Sequence, residues 1–260
     1  MVVAGCSSGA DRPALDAKPG GPTTSAAPPG KYRTLREPCG SVPRSTLKAL
    51  LPGAAALPED QQEKVYDGTA SVTYDTDRRV GCSWKADSPD ASHQLVIDLE
   101  RVVSYDPGVS DDDRAQAVYL EKETAAALPV PGAGGASSPP PSSPAPGTDA
   151  DTETTTQSGP GSETAAPPSE TPPSETPSAE GLEPRLLDGL GDVAFLNDVL
   201  ARSGSAARHR TVSVVFRTSN VIVTVRYSEQ PARPAEVPDS RELQEKARQL
   251  ARTLADQLNE

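Results

Sequence analysis

Few side chains in this 260-residue sequence are of the kinds that do chemistry, and their spacing says what each group is suited to. Ser45-Thr46-Leu47-Lys48 is a Ser-x-x-Lys element, in which one helical turn brings a lysine to a serine hydroxyl and activates it as a nucleophile. No Ser-Asp-Asn or Lys-Thr-Gly element accompanies it, and Ser45 suits a helix cap equally well, so capping is its expected role. The two histidines, His93 and His209, each begin a predicted strand among polar residues, the usual position of a solvated imidazole. Asp111-Asp112-Asp113 and the pair Asp75 and Asp77 lack the glycine and terminal glutamate of a calcium loop, and are read as a helix start and a turn. No catalytic residue, metal ligand or cofactor is expected. Arg208, Arg210, Arg217 and Arg226 gather around a predicted hairpin. With Arg217 and Arg226 pointing outward they are candidate contacts for an anionic envelope group, together with Trp84, beside which a pocket is expected. The plainer account is that these charges keep a sheet face soluble.

Cysteine supplies the other chemistry. Val3-Ala4-Gly5-Cys6 has the form of a bacterial lipobox, in which the cysteine thiol carries lipid. An apolar leader of about 7–15 residues normally precedes such a site, and residues 1–5 are read as its residual or truncated end. The alternative is a cytosolic chain with a free thiol near its start. Of three cysteines, lipidation of Cys6 leaves Cys39 and Cys82 to pair. A disulfide between them implies a compartment outside the reducing cytosol, and the alternative is two separate buried thiols. The expected location is therefore the extracytoplasmic face of the cell membrane, with acyl chains such as palmitate on Cys6 as the anchor. No run of about 20 apolar residues offers a second way into the bilayer.

Composition divides the chain. Residues 129–180 hold 13 prolines, 17 serines and threonines and seven acids, with no lysine or arginine. Such a stretch cannot bury enough apolar surface to offset its ordering entropy, so a disordered insertion is expected over 129–181. Its seven acids account for most of the formal charge of −12, leaving −5 for the remainder. A mildly acidic body of this kind argues against nucleic acid as a partner. The Gly-, Pro- and Ala-rich start gives a flexible tether over 6–31.

Two blocks remain to fold, 32–128 and 182–260. In the second, Thr211–Thr218 and Val221–Tyr227 alternate as strands across Ser219-Asn220, the spacing of a two-residue hairpin. Pairing Thr218 with Val221 sets Phe216 opposite Val223, Val214 opposite Val225 and Val212 opposite Tyr227, one wholly apolar face. Asp239, with Glu242 three residues on, opens a helix whose stripe runs Leu243, Ala247, Leu250, Ala251, Leu254, Ala255 and Leu258. In the first block Ser45 opens a short helix. Strands are expected through Ala70, Val72 and Tyr74, through Val80, Cys82 and Trp84, and through Leu95, Ile97 and Leu99, and a helix from about Asp111 to Leu128. The second block alone is small for a stable core. The expected fold is thus a single α+β domain, an antiparallel sheet with helices packed on one face, interrupted by the insertion. Two domains joined by a linker are the alternative.

Together the lipobox, the low-complexity tether, Glu37-Pro38-Cys39 before a short helix and Gly81-Cys82-Ser83-Trp84 in a strand resemble a family of small actinobacterial lipoproteins. That family has no established function and is similar in layout to the extracellular sensor domains of mycobacterial receptor kinases. The chain departs from those sensors in its long insertion and its single cysteine pair. The resemblance implies ligand or partner binding at the cell surface and supplies no catalytic residue. The expected role is therefore a non-catalytic binding or sensing lipoprotein, whose partner is a small molecule, an envelope polymer or a protein. A hydrolase using Ser45 and Lys48, and a structural surface spacer, are the alternatives.

Overall fold

A computed structural model describes residues 26–128, 182–202 and 208–260. Cys6, the expected tether up to residue 25 and the expected insertion lie outside the described residues. The elements in chain order are α1 (Arg44–Leu50), a 3-10 turn (Pro52–Ala56), α2 (Glu59–Asp67), β1 (Thr69–Ala70), β2 (Arg79–Asp87), β3 (Ala91–Arg101) and α3 (Asp111–Ala125). After 129–181 come β4 (Arg185–Leu187), β5 (Val193–Arg202), β6 (Arg208–Thr218), β7 (Val221–Pro231) and α4 (Ser240–Asn259). The strands form one antiparallel sheet in the order β1-β2-β3-β7-β6-β5-β4. The α+β class expected from the sequence is the class observed.

Period-2 alternation does most of the positioning. The β6–β7 hairpin has the predicted register, Thr218 on Val221, Phe216 on Val223, Val214 on Val225 and Val212 on Tyr227. On the far side of β7, β3 pairs along its whole length, from Ala91 on Pro231 to Arg101 on Val221. That ladder joins the two chain segments into one sheet. Trp84, Leu95, Ile97, Val214, Phe216, Val225 and Tyr227 share one face, covered by α1, α2 and the Leu243–Ala255 stripe of α4. Asp239 caps α4 as predicted, its carboxylate accepting from the Glu242 N–H at 2.9 Å. Glu242 does not reach back in return; it pairs with Lys246 at 2.7 Å.

The helices do not all lie on one face. Ala115 and Tyr119 of α3 pack on the opposite face, against Phe195, Val215 and Ile222. These are apolar residues of the mixed side of the hairpin, and a short helix covering only part of a sheet face needs only such a small patch. The expected strand through Ala70, Val72 and Tyr74 is cut short: β1 stops at Ala70, and the Val72 and Tyr74 side chains stand fully exposed. Past the edge of the sheet no described element covers them. Nor is the expected tether free as far as residue 31. The Ala27, Gly30 and Tyr32 N–H groups donate to the Pro107 carbonyl, Asp111 and Asn220. Gly30 lies so close to the Asn220 side chain that a Cβ would overlap it.

Candidate functional site

The three ligand-binding candidates, Trp84, Arg217 and Arg226, do not converge. Trp84 is 1 % exposed, its indole N–H donating to the Tyr66 carbonyl at 3.1 Å, and it forms part of the core. Its register partner Leu95 lies on the α4 side of the sheet, whereas Arg217 and Arg226 stand on the α3 side. Arg217 is not directed freely outward: its guanidinium donates to Gln116 at 2.9 Å and to the Ser219 carbonyl at 2.7 Å, and pairs with Asp192 at 3.2 Å. Arg226 alone of the three is exposed.

The remaining candidates have structural partners. Cys39 and Cys82 form a disulfide that ties the segment ahead of α1 to β2. Ser45 lies inside the first turn of α1, where Pro43 is the N-cap and no side chain caps, so the capping role expected for Ser45 is not taken. The helix starts at Arg44, one residue ahead of Ser45, so the N-cap position falls to Pro43, which has no side-chain acceptor to offer. Ser45 and Lys48 are both exposed. Asp111 accepts from the Gly30 and Ser104 N–H groups at 2.9 and 2.7 Å, and Asp112 from the Ser219 hydroxyl at 2.6 Å. Asp113 closes on the N-cap Ser110, and Asp75 pairs with Arg78 at 3.4 Å. Among the described residues no group of three or more His, Cys, Asp or Glu side chains is placed to hold a metal ion.

His93 is not solvated. Strand β3 starts at Ala91, so the inward alternation Leu95, Ile97, Leu99 reaches back to His93, which is 8 % exposed. Its ring stacks on Tyr227 with centroids 6.1 Å apart, and its Nε2 lies 3.7 Å from Glu229. Burial, and then the Lys246 charge, lower its pKa below the ordinary 6.5. Burial, and then Glu242, raise that of Glu229. His209 is half-exposed on β6.

A different set of residues does converge. Arg241, Glu245, Arg248 and Arg252 recur at helical spacing along one edge of the α4 stripe, and face Leu182 and Arg185 beside β4. Between them runs an open groove of about 600 Å³. Its β4 wall is held from below. The Nη1 of Arg185 donates to the Glu183 carbonyl and to Gln244 Oε1, each at 3.0 Å. Gln244 is 2 % exposed, and its Nε2 donates to the Leu182 carbonyl at 2.7 Å and to Asp198 at 2.9 Å. Asp198, with a side chain 3 % exposed, accepts from Arg210 at 2.7 Å and from the Ser240 hydroxyl. One buried polar layer under the first turns of α4 thus orients Arg185 in the groove.

The electrostatics are one-sided. Among the described residues that line the groove, four arginines face one carboxylate, Glu245. Burial and the neighbouring Arg248 charge lower the Arg185 pKa from its ordinary value, although a guanidinium keeps its proton in a protein. Such a surface favours oxyanions, which accept forked hydrogen bonds from arginine. The spacing of Arg241, Arg248 and Arg252 was present in the sequence as a signal; the Arg185 wall was not.

The fold and groove define an α+β protein with helices on both faces of a seven-stranded sheet and a basic trough on one side. Comparison with protein-family models, curated proteins and solved structures finds no match.

Proposed function

We propose that the protein is a lipid-anchored extracytoplasmic lipoprotein that binds an anionic ligand in the groove between β4 and α4 and does not transform it. The observation that carries this role is the set of four arginines facing one carboxylate among the described lining residues, with Arg185 oriented by a buried hydrogen-bonded layer. Folding gains nothing from leaving like charges together, so their natural complement is a ligand that brings the opposite charge. The Cys39–Cys82 disulfide supports an oxidising compartment, and Val3–Cys6 supports the anchor.

Two measurements on the full chain in its producing cells test the two parts. Intact mass and fractionation should find acyl mass on Cys6 and the protein with the membranes, and Cys6→Ala should release it. An unmodified Cys6 would remove the anchor. Thermal melting against anionic envelope components should show a rise in Tm that Arg248→Gln abolishes; no rise with any of them would remove the binding role. A ligand at 100 times its Kd adds about 2.7 kcal/mol, well within reach of this assay.

A further inference from the structure

Resting on the binding role just proposed, we propose that the ligand is a linear phosphate polymer without aromatic or apolar parts, lying lengthwise along α4. Length is the first reason. Arg241 and Arg252 are eleven residues apart on one helix, which is about 16 Å at 1.5 Å per residue. A single phosphate meets one end of that row and leaves the other bare. Only an extended chain engages Arg241, Arg248 and Arg252 together. Glu245 stands among them, so the negative groups must fall at intervals along the chain rather than as one dense cluster.

Shape and lining give the rest. The groove is open along its side, and among the described residues Leu182 is the only apolar one that lines it. None of the described lining residues is an aromatic on which a base would stack, which is how single-stranded nucleic acids gain affinity beyond their phosphates. Nor do they offer an apolar surface long enough for an acyl chain. Arg185 approaches from the β4 wall and Arg248 from the helix. A phosphate diester carries its charge in the chain backbone itself, where arginines of both walls can donate to it, whereas a polycarboxylate carries its charge on pendant groups.

The test is binding to the full, disulfide-intact chain by fluorescence anisotropy across a salt series. The probes are a labelled inorganic polyphosphate of about fifteen units and a polyol-phosphate oligomer of similar length, competed by pyrophosphate, polyglutamate and oligo-dT. At least one phosphate polymer should bind more than tenfold tighter than pyrophosphate, polyglutamate or oligo-dT. Its plot of log K against log salt should flatten by about one unit for each of Arg241→Gln, Arg248→Gln and Arg252→Gln. Arg226→Gln, on the other face of the sheet, should change nothing. Preference for the polyol-phosphate oligomer identifies an envelope-linked polymer, and preference for the inorganic chain a free one; either upholds the proposal. Pyrophosphate binding as tightly as the polymers, with Arg241→Gln and Arg252→Gln silent, would overturn the linear ligand and leave an anion site in place. Equal affinity for polyglutamate or oligo-dT would overturn the preference for phosphate polymers. Absence of binding by every probe would overturn the anion-binding role itself.

Discussion

Replacing Asp198 with alanine should be among the most damaging single changes in the fold, and the structure says by how much. The carboxylate is 3 % exposed and its partner Arg210 is 16 % exposed, with 2.7 Å between them. It also accepts from Gln244 and from Ser240. Arg210 Nε is already buried without a partner. Removing the carboxylate leaves a mostly buried guanidinium without its ion-pair partner, a loss of about 3–5 kcal/mol. Total stabilities run to about 5–15 kcal/mol, so this is a large fraction of the whole. In equilibrium urea unfolding the midpoint should fall by more than about 1 M at an unchanged slope. Pairing Asp198→Leu with Arg210→Met should recover most of the loss, because an apolar pair restores a balanced interior. A loss under about 1 kcal/mol for Asp198→Ala, or a double variant no better than the single, would refute the view that this pair holds the polar layer together.

Three further perturbations probe other parts of the structure. Cys39→Ser opens a link between residues 43 apart; the chain-entropy relation gives about 4 kcal/mol, read as a lower urea midpoint that reductant reproduces in the wild type, and coincident curves would contradict it. Gly68→Ala demands a side chain at φ +70°, with its Cβ 2.5 Å from Trp84 Nε1 and 2.7 Å from Cys82 Sγ. It should cost about 1–3 kcal/mol and shift tryptophan emission, and a variant melting with the wild type would count against that packing. The folded pKa of His93 lies below 6.5, so the unfolded chain takes the proton first, and stability present above pH 6.5 is lost as the pH falls through the folded value. Glu229, with a raised pKa, acts in the opposite sense: stability falls as the pH rises from 4.5 through its folded value. The difference in Tm between wild type and His93→Phe should therefore change on the acid side of pH 6.5 and be flat above it; a difference independent of pH would show that His93 is not held neutral.

What could be read from the residues, and what could not, follows from how far apart the partners lie. The β6–β7 register was legible because Val212, Val214 and Phe216 answer Tyr227, Val225 and Val223 across a two-residue turn. The α4 stripe and the Asp239 cap are likewise local patterns. The same alternation misled at Val72 and Tyr74, because periodicity does not tell where a sheet ends. At His93 the strand begins four residues before the apolar run at Leu95, which turns an apparently solvated histidine inward. The mixed face of the hairpin gave no sign that α3 would cover Val215 and Ile222. The groove was illegible for a related reason. Its helical arginines carry a local spacing, but Arg185 sits on a three-residue strand and is oriented by Gln244, 59 positions away.

The most direct test of the arginine groove as the ligand site is side-chain NMR of the full chain, following the arginine Nε–Hε resonances while inorganic polyphosphate is added. Shifts confined to Arg185, Arg241, Arg248 and Arg252, saturating together, are the result predicted. Saturating shifts at Arg217 and Arg226 instead, or no arginine shift at any concentration, would contradict it.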